Sequence, residues 1–202
     1  MSPSTDLIQK LRSMTGAGMM DCKNALVESK DDLDKAVQYL REKGIATAVK
    51  KASRTAKEGL VVSYIHAGGK LGVLLEINCE TDFVARTEDF LNLTRELSMQ
   101  IAAANPLYVT REEVPQEVIE KEKEIYKNQM AEEGKPKPAN VVEKIVEGKL
   151  EKFYSQVVLL DQPYVRDAAG KEKVKDIITN TVAKTGENIV VRRFSRFRVG
   201  EE

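Results

Sequence analysis

Tryptophan is missing from this chain, histidine occurs once, at His66, and cysteine twice, at Cys22 and Cys79. A structural zinc site takes about four Cys or His ligands, so the chain cannot build one alone. The two cysteines have no CxxC spacing and read as reduced, partly buried packing residues, with a redox or intersubunit role as the alternative. No apolar run approaches the roughly 20 residues that a membrane-spanning helix needs, and the N-terminus lacks the basic-then-apolar order of a secretory signal. A cytoplasmic protein without a membrane partner is expected. Charge of one sign is not in excess either: Lys plus Arg total 32 and Asp plus Glu total 32, which gives no general reason to bind a polyanion.

Catalytic equipment is equally sparse. Gly16 and Gly18, and Gly68 and Gly69, lack the GxxxxGK[ST] spacing of a phosphate-cradling loop, and Gly68-Gly69 is explained by a hairpin turn. Glu80 and Asp82 form a carboxylate pair two residues apart, for which capping or solvation is the simpler role. No nucleophile stands with a base, so no covalent chemistry and no cofactor are expected.

What is present is a chain of 202 residues, 42% apolar, enough for a core domain and a smaller module. Leu7, Leu11 and Met14, then Cys22, Ala25 and Leu26, then Leu33, Ala36, Val37 and Leu40 are spaced as three short amphipathic helices over residues 4–44,. Ser4 or Thr5 suits the first N-cap, Asp31 or Asp32 the third, and Gly16 and Gly44 suit C-terminal ends. Residues 1–45 are thus expected to form one module. Residues 46–58, with Lys50, Lys51, Arg54 and Lys57, read as a basic connection, either a solvated linker or a helix extension,.

The rest, residues 59–202, reads as an α+β core,. Leu60, Val62 and Tyr64, and then Leu71, Val73, Leu75 and Ile77, alternate on either side of Ala67-Gly68-Gly69-Lys70 and predict a β-hairpin. Phe90, Leu93, Leu97 and Ile101 predict a helix ending near Asn105-Pro106 that covers one face of the sheet. Over about 112–154, Val114, Val118, Ile125 and Met130 form one narrow seam, interrupted by Glu122, and Val142, Ile145, Val146, Leu150 and Phe153 form another. With Gly134-Lys135-Pro136-Lys137-Pro138 between them, these predict an antiparallel helical hairpin projecting as a coiled coil. β character is expected at Gln156 to Leu160, a helix around Val174, Ile177, Ile178 and Val182, and a closing strand from Ile189 to about Val199.

The most unusual segment is Asn78-Cys79-Glu80-Thr81-Asp82-Phe83-Val84-Ala85-Arg86, which sets a phenylalanine where a strand gives way to a helix. Phe83 there is a candidate for insertion into a partner; folding back into the core is its ordinary alternative, and the helix dipole alone accounts for Asp82. Met19 and Met20 suit a contact surface, though one of the two is expected in the core, and Lys23 a turn later is either part of that face or simply solvated. His66, expected in a strand, and Val165, after Gln162-Pro163-Tyr164, are weaker candidates, Val165 having core packing as its alternative. Arg192, Arg193, Arg196 and Arg198 could face RNA phosphates, but Phe194 and Phe197 interleave poorly with a stacking platform.

The segment around Phe83 and Met14-Thr15-Gly16-Ala17-Gly18-Met19-Met20-Asp21-Cys22-Lys23 together resemble the elongation factor Ts family. Ser63-Tyr64-Ile65-His66, Gly134-Lys135-Pro136, Gln162-Pro163-Tyr164-Val165 and Gly186-Glu187-Asn188-Ile189-Val190-Val191-Arg192-Arg193 look like family segments in family-like order, so the resemblance spans nearly the whole chain. It implies a translation elongation factor that binds elongation factor Tu, with GDP or nucleotide-free, and promotes GDP release so that GTP can bind. It implies a ubiquitin-associated-like N-terminal module whose Met19, Met20 and Lys23 meet the GTPase. It also implies that Asp82 and Phe83 enter the GTPase beside the nucleotide and disturb its magnesium site, with Thr81 and Val84 shaping the tip and His66 and Val165 as secondary contacts. The longest family members carry two related core subdomains; this chain has one hairpin and one closing strand, which points to a homodimer. Two other classes stand beside this one. An RNA- or ribosome-binding protein would use the helical hairpin and the C-terminal arginines, although direct nucleic-acid binding is not expected, and a ubiquitin-like-protein adaptor would rest on the N-terminal helices alone.

Overall fold

A computed structural model describes residues 3–132 and 138–201. Among them are eight α-helices and a three-stranded antiparallel sheet, an α+β arrangement. The chain forms two compact units: Met1–Ser63 with Leu74–Glu96 and Asp176–Phe194, and Tyr64–Val73 with Leu97–Lys175 and Ser195–Glu202.

The first unit opens with three helices, α1 (Thr5–Thr15), α2 (Met19–Glu28) and α3 (Leu33–Lys51). Ser4 caps α1 by accepting the Leu7 N–H at 3.3 Å, and Gly16, at φ 66°, ends it by donating to the Arg12 carbonyl,. Asp32 caps α3 by accepting from the Lys35 N–H at 3.1 Å. Leu11, Cys22, Ala25, Leu26 and Ala36 close a small core, with Leu7, Ile8, Leu33, Val37 and Leu40 packed on it. Met14 stays exposed and Ile8 takes the place that the spacing gave it. Gly44 does not end α3. It lies buried inside the helix, where a Cβ would come within 3.4 Å of the Ala183 side chain; a missing side chain allows close packing there, and the signal is not a cap. Residues 45–51 continue α3, so the basic stretch begins as a helix extension.

Strand β1 (Glu58–Ile65) turns through Gly68 and Gly69 into β2 (Leu71–Cys79), and β3 (Val190–Arg198) completes the order β1-β2-β3. Alternation on β2 buries Val73, Leu75, Ile77 and Cys79,. Gly59 is required: at φ 139° a Cβ would fall 2.2 Å from the Ile77 carbonyl oxygen,. After β2 come α4 (Asp82–Ala85) and α5 (Glu88–Ala104), which buries Phe90, Leu93, Leu97 and Ile101 as its spacing requires. Burial raises the thiols of both free cysteines, Cys22 and Cys79, above the ordinary value and leaves them protonated at neutral pH,.

In the second unit, a 3₁₀ turn at Arg111–Glu113 precedes α6 (Gln116–Glu132), and α7 (Ala139–Val157) packs against it. The expected turn Gly134-Lys135-Pro136-Lys137 lies outside the described residues. The α7 seam of Val142, Ile145, Val146 and Leu150 is as expected. On α6 the seam is displaced by one residue: Ile119, Tyr126 and Met130 face α7, while Ile125 is exposed and Val114 is buried ahead of the helix. Tyr126 explains the shift. Its ring joins the seam, Lys149 Nζ lies 5.3 Å from the ring centroid, and burial together with a hydrogen bond to Glu122 pushes its hydroxyl up to about 12. The β character expected at Gln156 to Leu160 reduces to a single parallel bridge, Tyr108 to Val158, because α7 runs on to Val157 and a 3₁₀ turn, Leu159–Asp161, follows. The last helix, α8 (Val174–Thr185), which falls mostly in the first unit, and β3 match their periodicity.

Arg111 holds this unit's base together. Its Nη1 and Nη2 each donate to Glu151 at 2.7 Å and its Nε donates to Asp161. Burial raises the Asp161 carboxyl, but Arg111 outweighs it and holds the group below its usual range,. Arg111→Ala would leave Asp161 buried with only the more distant charges of Lys175, at 3.7 Å, and Lys173 to offset its own. The expected loss is about 2 kcal/mol of stability, as denaturant unfolding would show. A depressed carboxyl contributes stability above its unfolded value and loses it as pH falls through the folded one, so the difference between native and variant narrows below roughly pH 4.

Candidate functional site

The joint between β2 and α4 is built from hydrogen bonds that reach across the sequence. Thr81 has an extended backbone and caps α4, its Oγ1 accepting the Val84 N–H at 3.4 Å. That hydroxyl gives its own proton to Glu187 Oε1 at 2.6 Å, and Glu187 Oε2 accepts the backbone N–H groups of Glu80 and Thr81, both at 3.0 Å. In return, Glu80 Oε1 accepts the Asn188 N–H at 2.7 Å. Asn188 Nδ2 donates to the Arg54 carbonyl at 2.8 Å, and Lys51 Nζ donates to the Gly186 carbonyl.

On this frame the four residues of the joint diverge. Val84 and Ala85 point inward and are buried. Phe83 points out and is 78% exposed, the most exposed large apolar side chain among the described residues, so it does not fold back into the core. Asp82 opens the helix and is paired with Arg86 one turn on, at 2.8 Å. A ring held in water on a four-residue helix has no internal packing to account for it.

Met19 and Met20 are 43% and 65% exposed. Neither is in the core, contrary to the expectation for one of them: α2 begins at Met19, so both lie in a first turn ahead of the buried Cys22, Ala25 and Leu26. Lys23 is half-buried on the same helix, and Asp21 forms an ion pair with Lys43 at 2.7 Å that raises the lysine's ordinary value. The tip residues and the methionines belong to the first unit, and His66 and Val165 to the second. His66 sits in the hairpin turn just past β1 rather than in a strand, its Nδ1 2.9 Å from the Tyr64 hydroxyl. Val165 is 47% exposed, and its N–H donates to the buried Gln100 side chain at 2.9 Å.

The arginines of β3 are largely engaged. Arg193 pairs with Glu76 at 2.7 Å, Arg196 with Glu201 at 2.6 Å and Arg198 with Glu201 at 3.2 Å. Among the described residues no three His, Cys, Asp or Glu side chains come together as metal ligands would, and no helix is long and apolar enough to cross a membrane.

Sequence reasoning missed Glu187, Asn188 and Arg86 as parts of this site. Only Arg86 had a local signal, its i+4 spacing from Asp82.

A family model described as Elongation factor TS matches residues 6–171. Among curated relatives, the Elongation factor Ts of Caldanaerobacter subterraneus subsp. tengcongensis is 60% identical over 198 residues, covering 98% of this chain and 97% of the relative. That of Thermotoga neapolitana is 60% identical over 202 residues, covering 100% of both. That of Thermodesulfovibrio yellowstonii is 59% identical over 201 residues, covering 100% of this chain and 98% of the relative.

Proposed function

Since this chain belongs to the elongation factor Ts family, we propose that it is a guanine-nucleotide exchange factor that binds elongation factor Tu carrying GDP and speeds GDP release. The observation that carries the reading is Phe83: a ring 78% exposed, next to an acid, on a short helix whose base is fastened by charge-assisted hydrogen bonds,. Such a tip is built to be buried in another molecule. Asp82 and Phe83 enter the GTPase and disturb its magnesium and phosphate site, Thr81 and Val84 hold the tip in shape, and no covalent step occurs.

Magnitudes require several contributors. A thousandfold faster release needs roughly 4 kcal/mol, at about 1.4 kcal/mol per factor of ten. Burying one phenylalanine supplies roughly 1.5 to 3 kcal/mol. The remainder comes from the disturbed magnesium site. Docking energy comes from α1–α3, read as a ubiquitin-associated-like module presenting Met19, Met20 and Lys23, with His66 and Val165 as secondary contacts. The α6–α7 pair, with one narrow seam between its helices, is read as a projecting coiled coil. The protein works in the cytoplasm, where its partner is.

The mechanism is differential affinity. If the chain weakens GDP binding by some factor, GDP weakens the chain's binding by the same factor. Calorimetric titration of elongation factor Tu with GDP, with and without the chain, and with the chain, with and without GDP, tests this. Equal ratios well above one are expected; ratios of one would end the reading.

A homodimer completes the proposal. Exposed Ile65 lies over Gly72, where an added Cβ would fall 3.0 Å from its Cδ1, and on β3 Phe197 is 71% exposed with exposed Val199 two residues on. Contiguous exposed apolar residues on a sheet face mark a contact surface. Light scattering should give twice the chain mass for the native protein and the chain mass for Phe197→Asp; a native monomer at micromolar concentration would remove the dimer.

A further inference from the structure

We infer that Glu187 is a positioning residue for exchange: resting on the reading above, its carboxylate sets the orientation of the Thr81–Phe83 tip and so governs how fast a docked complex releases nucleotide. Phe83 is 78% exposed, so its direction is fixed by the backbone on either side of it: the buried Val84 and Ala85 that follow and the segment that leads into α4. Two peptide N–H groups of that backbone, at Glu80 and Thr81, end on one oxygen of Glu187, and the Thr81 hydroxyl ends on the other. A hydroxyl has one proton to give. Because Glu187 takes it, the lone pairs of Thr81 Oγ1 face the Val84 N–H and close the cap.

Glu187 is itself held still. It follows Gly186, which at φ 75° ends α8 by donating to the Val182 carbonyl at 2.9 Å. It precedes Asn188, whose backbone N–H is bound by Glu80 and whose side chain is bound to the carbonyl that follows α3, at Arg54. The two carboxylates thus clasp each other's backbone from positions more than a hundred residues apart, Glu80 to Asn188 and Glu187 to Thr81. Such a clasp does more than end a strand: a tip that must displace tightly held groups in a partner loses force if its base yields.

Glu187→Gln is the test, because it preserves shape while replacing one acceptor oxygen with an amide that faces donors. Release of fluorescent GDP from elongation factor Tu would be followed by stopped flow over a range of chain concentrations. The expected result is a maximal release rate lowered about tenfold, the equivalent of one charge-assisted hydrogen bond, with the half-saturating concentration changed less than about twofold because docking lies elsewhere. In an Asp82→Ala, Phe83→Ala background the substitution should add nothing, since Glu187 acts through these two side chains. Thr81→Val should lower the maximal rate in the same way and Thr81→Ser should restore it, which keeps the test decisive if Glu187→Gln fails to fold by circular dichroism. An unchanged maximal rate, or an equal loss in the Asp82→Ala, Phe83→Ala background, would overturn the role of Glu187 while leaving the exchange reading intact. A native chain that does not accelerate release would overturn the exchange reading and this role together.

Discussion

Replacing Asp82 and Phe83 together with alanine should slow the maximal rate of GDP release by about a hundredfold while leaving the protein folded. The size follows from the ring, since roughly 1.5 to 3 kcal/mol of burial realised only as nucleotide leaves converts to between ten- and a hundredfold, and from the added loss of Asp82. The protein itself loses little. Phe83 is 78% exposed and Asp82 makes only a surface pair with Arg86; exposed pairs of this kind contribute a few tenths of a kcal/mol, so the thermal midpoint should stay within about 2 °C of native. Differential scanning calorimetry alongside the release assay separates a lost tip from a lost fold.

Changing Met19 and Met20 together to aspartate should have the opposite kinetic signature. Both side chains are already in water, so stability is again nearly unchanged. Removing two buried methionines from an interface and adding two charges to it should raise the concentration needed for half-maximal release by about a hundredfold. The maximal rate at saturation should hold, because this face docks and the tip acts. A rise in one parameter without a fall in the other distinguishes binding shared by both states from binding realised only as nucleotide leaves.

Much of the fold was legible because it rests on local periodicity. The stripe from Phe90 to Ile101, the alternation of β2 and the caps at Ser4, Gly16 and Asp32 each use a spacing that one element imposes by itself. The misreadings come where two elements meet. Gly44 looked like a helix end and is a point of close approach to Ala183. The α6 seam shifted by one residue because an aromatic with a partner for its hydroxyl, Tyr126, displaced Ile125 from the contact. Gln156 and Val157 are rich enough in β character to suggest a strand, yet they finish a helix anchored by a seam.

The site divides in the same way. Phe83 was conspicuous in the sequence, but whether it faced inward or outward depended on Val84 and Ala85 taking the inward positions and on Thr81 setting the helix start. The clasp from Glu187 and Asn188 had no local signature at all. A glutamate two residues after a helix end is ordinary, and only the fold brings it to the Thr81 backbone. Both methionines turned outward for a related reason: a residue in a helix's first turn can match the apolar stripe in phase and still lie beyond the neighbours that would cover it.

The most direct test of exchange is stopped-flow release of fluorescent GDP from elongation factor Tu as the native chain is titrated. A release rate that climbs with chain concentration to a plateau far above the spontaneous rate is expected. A rate that stays at the spontaneous value across the whole titration, with a partner competent to bind GDP, would contradict it.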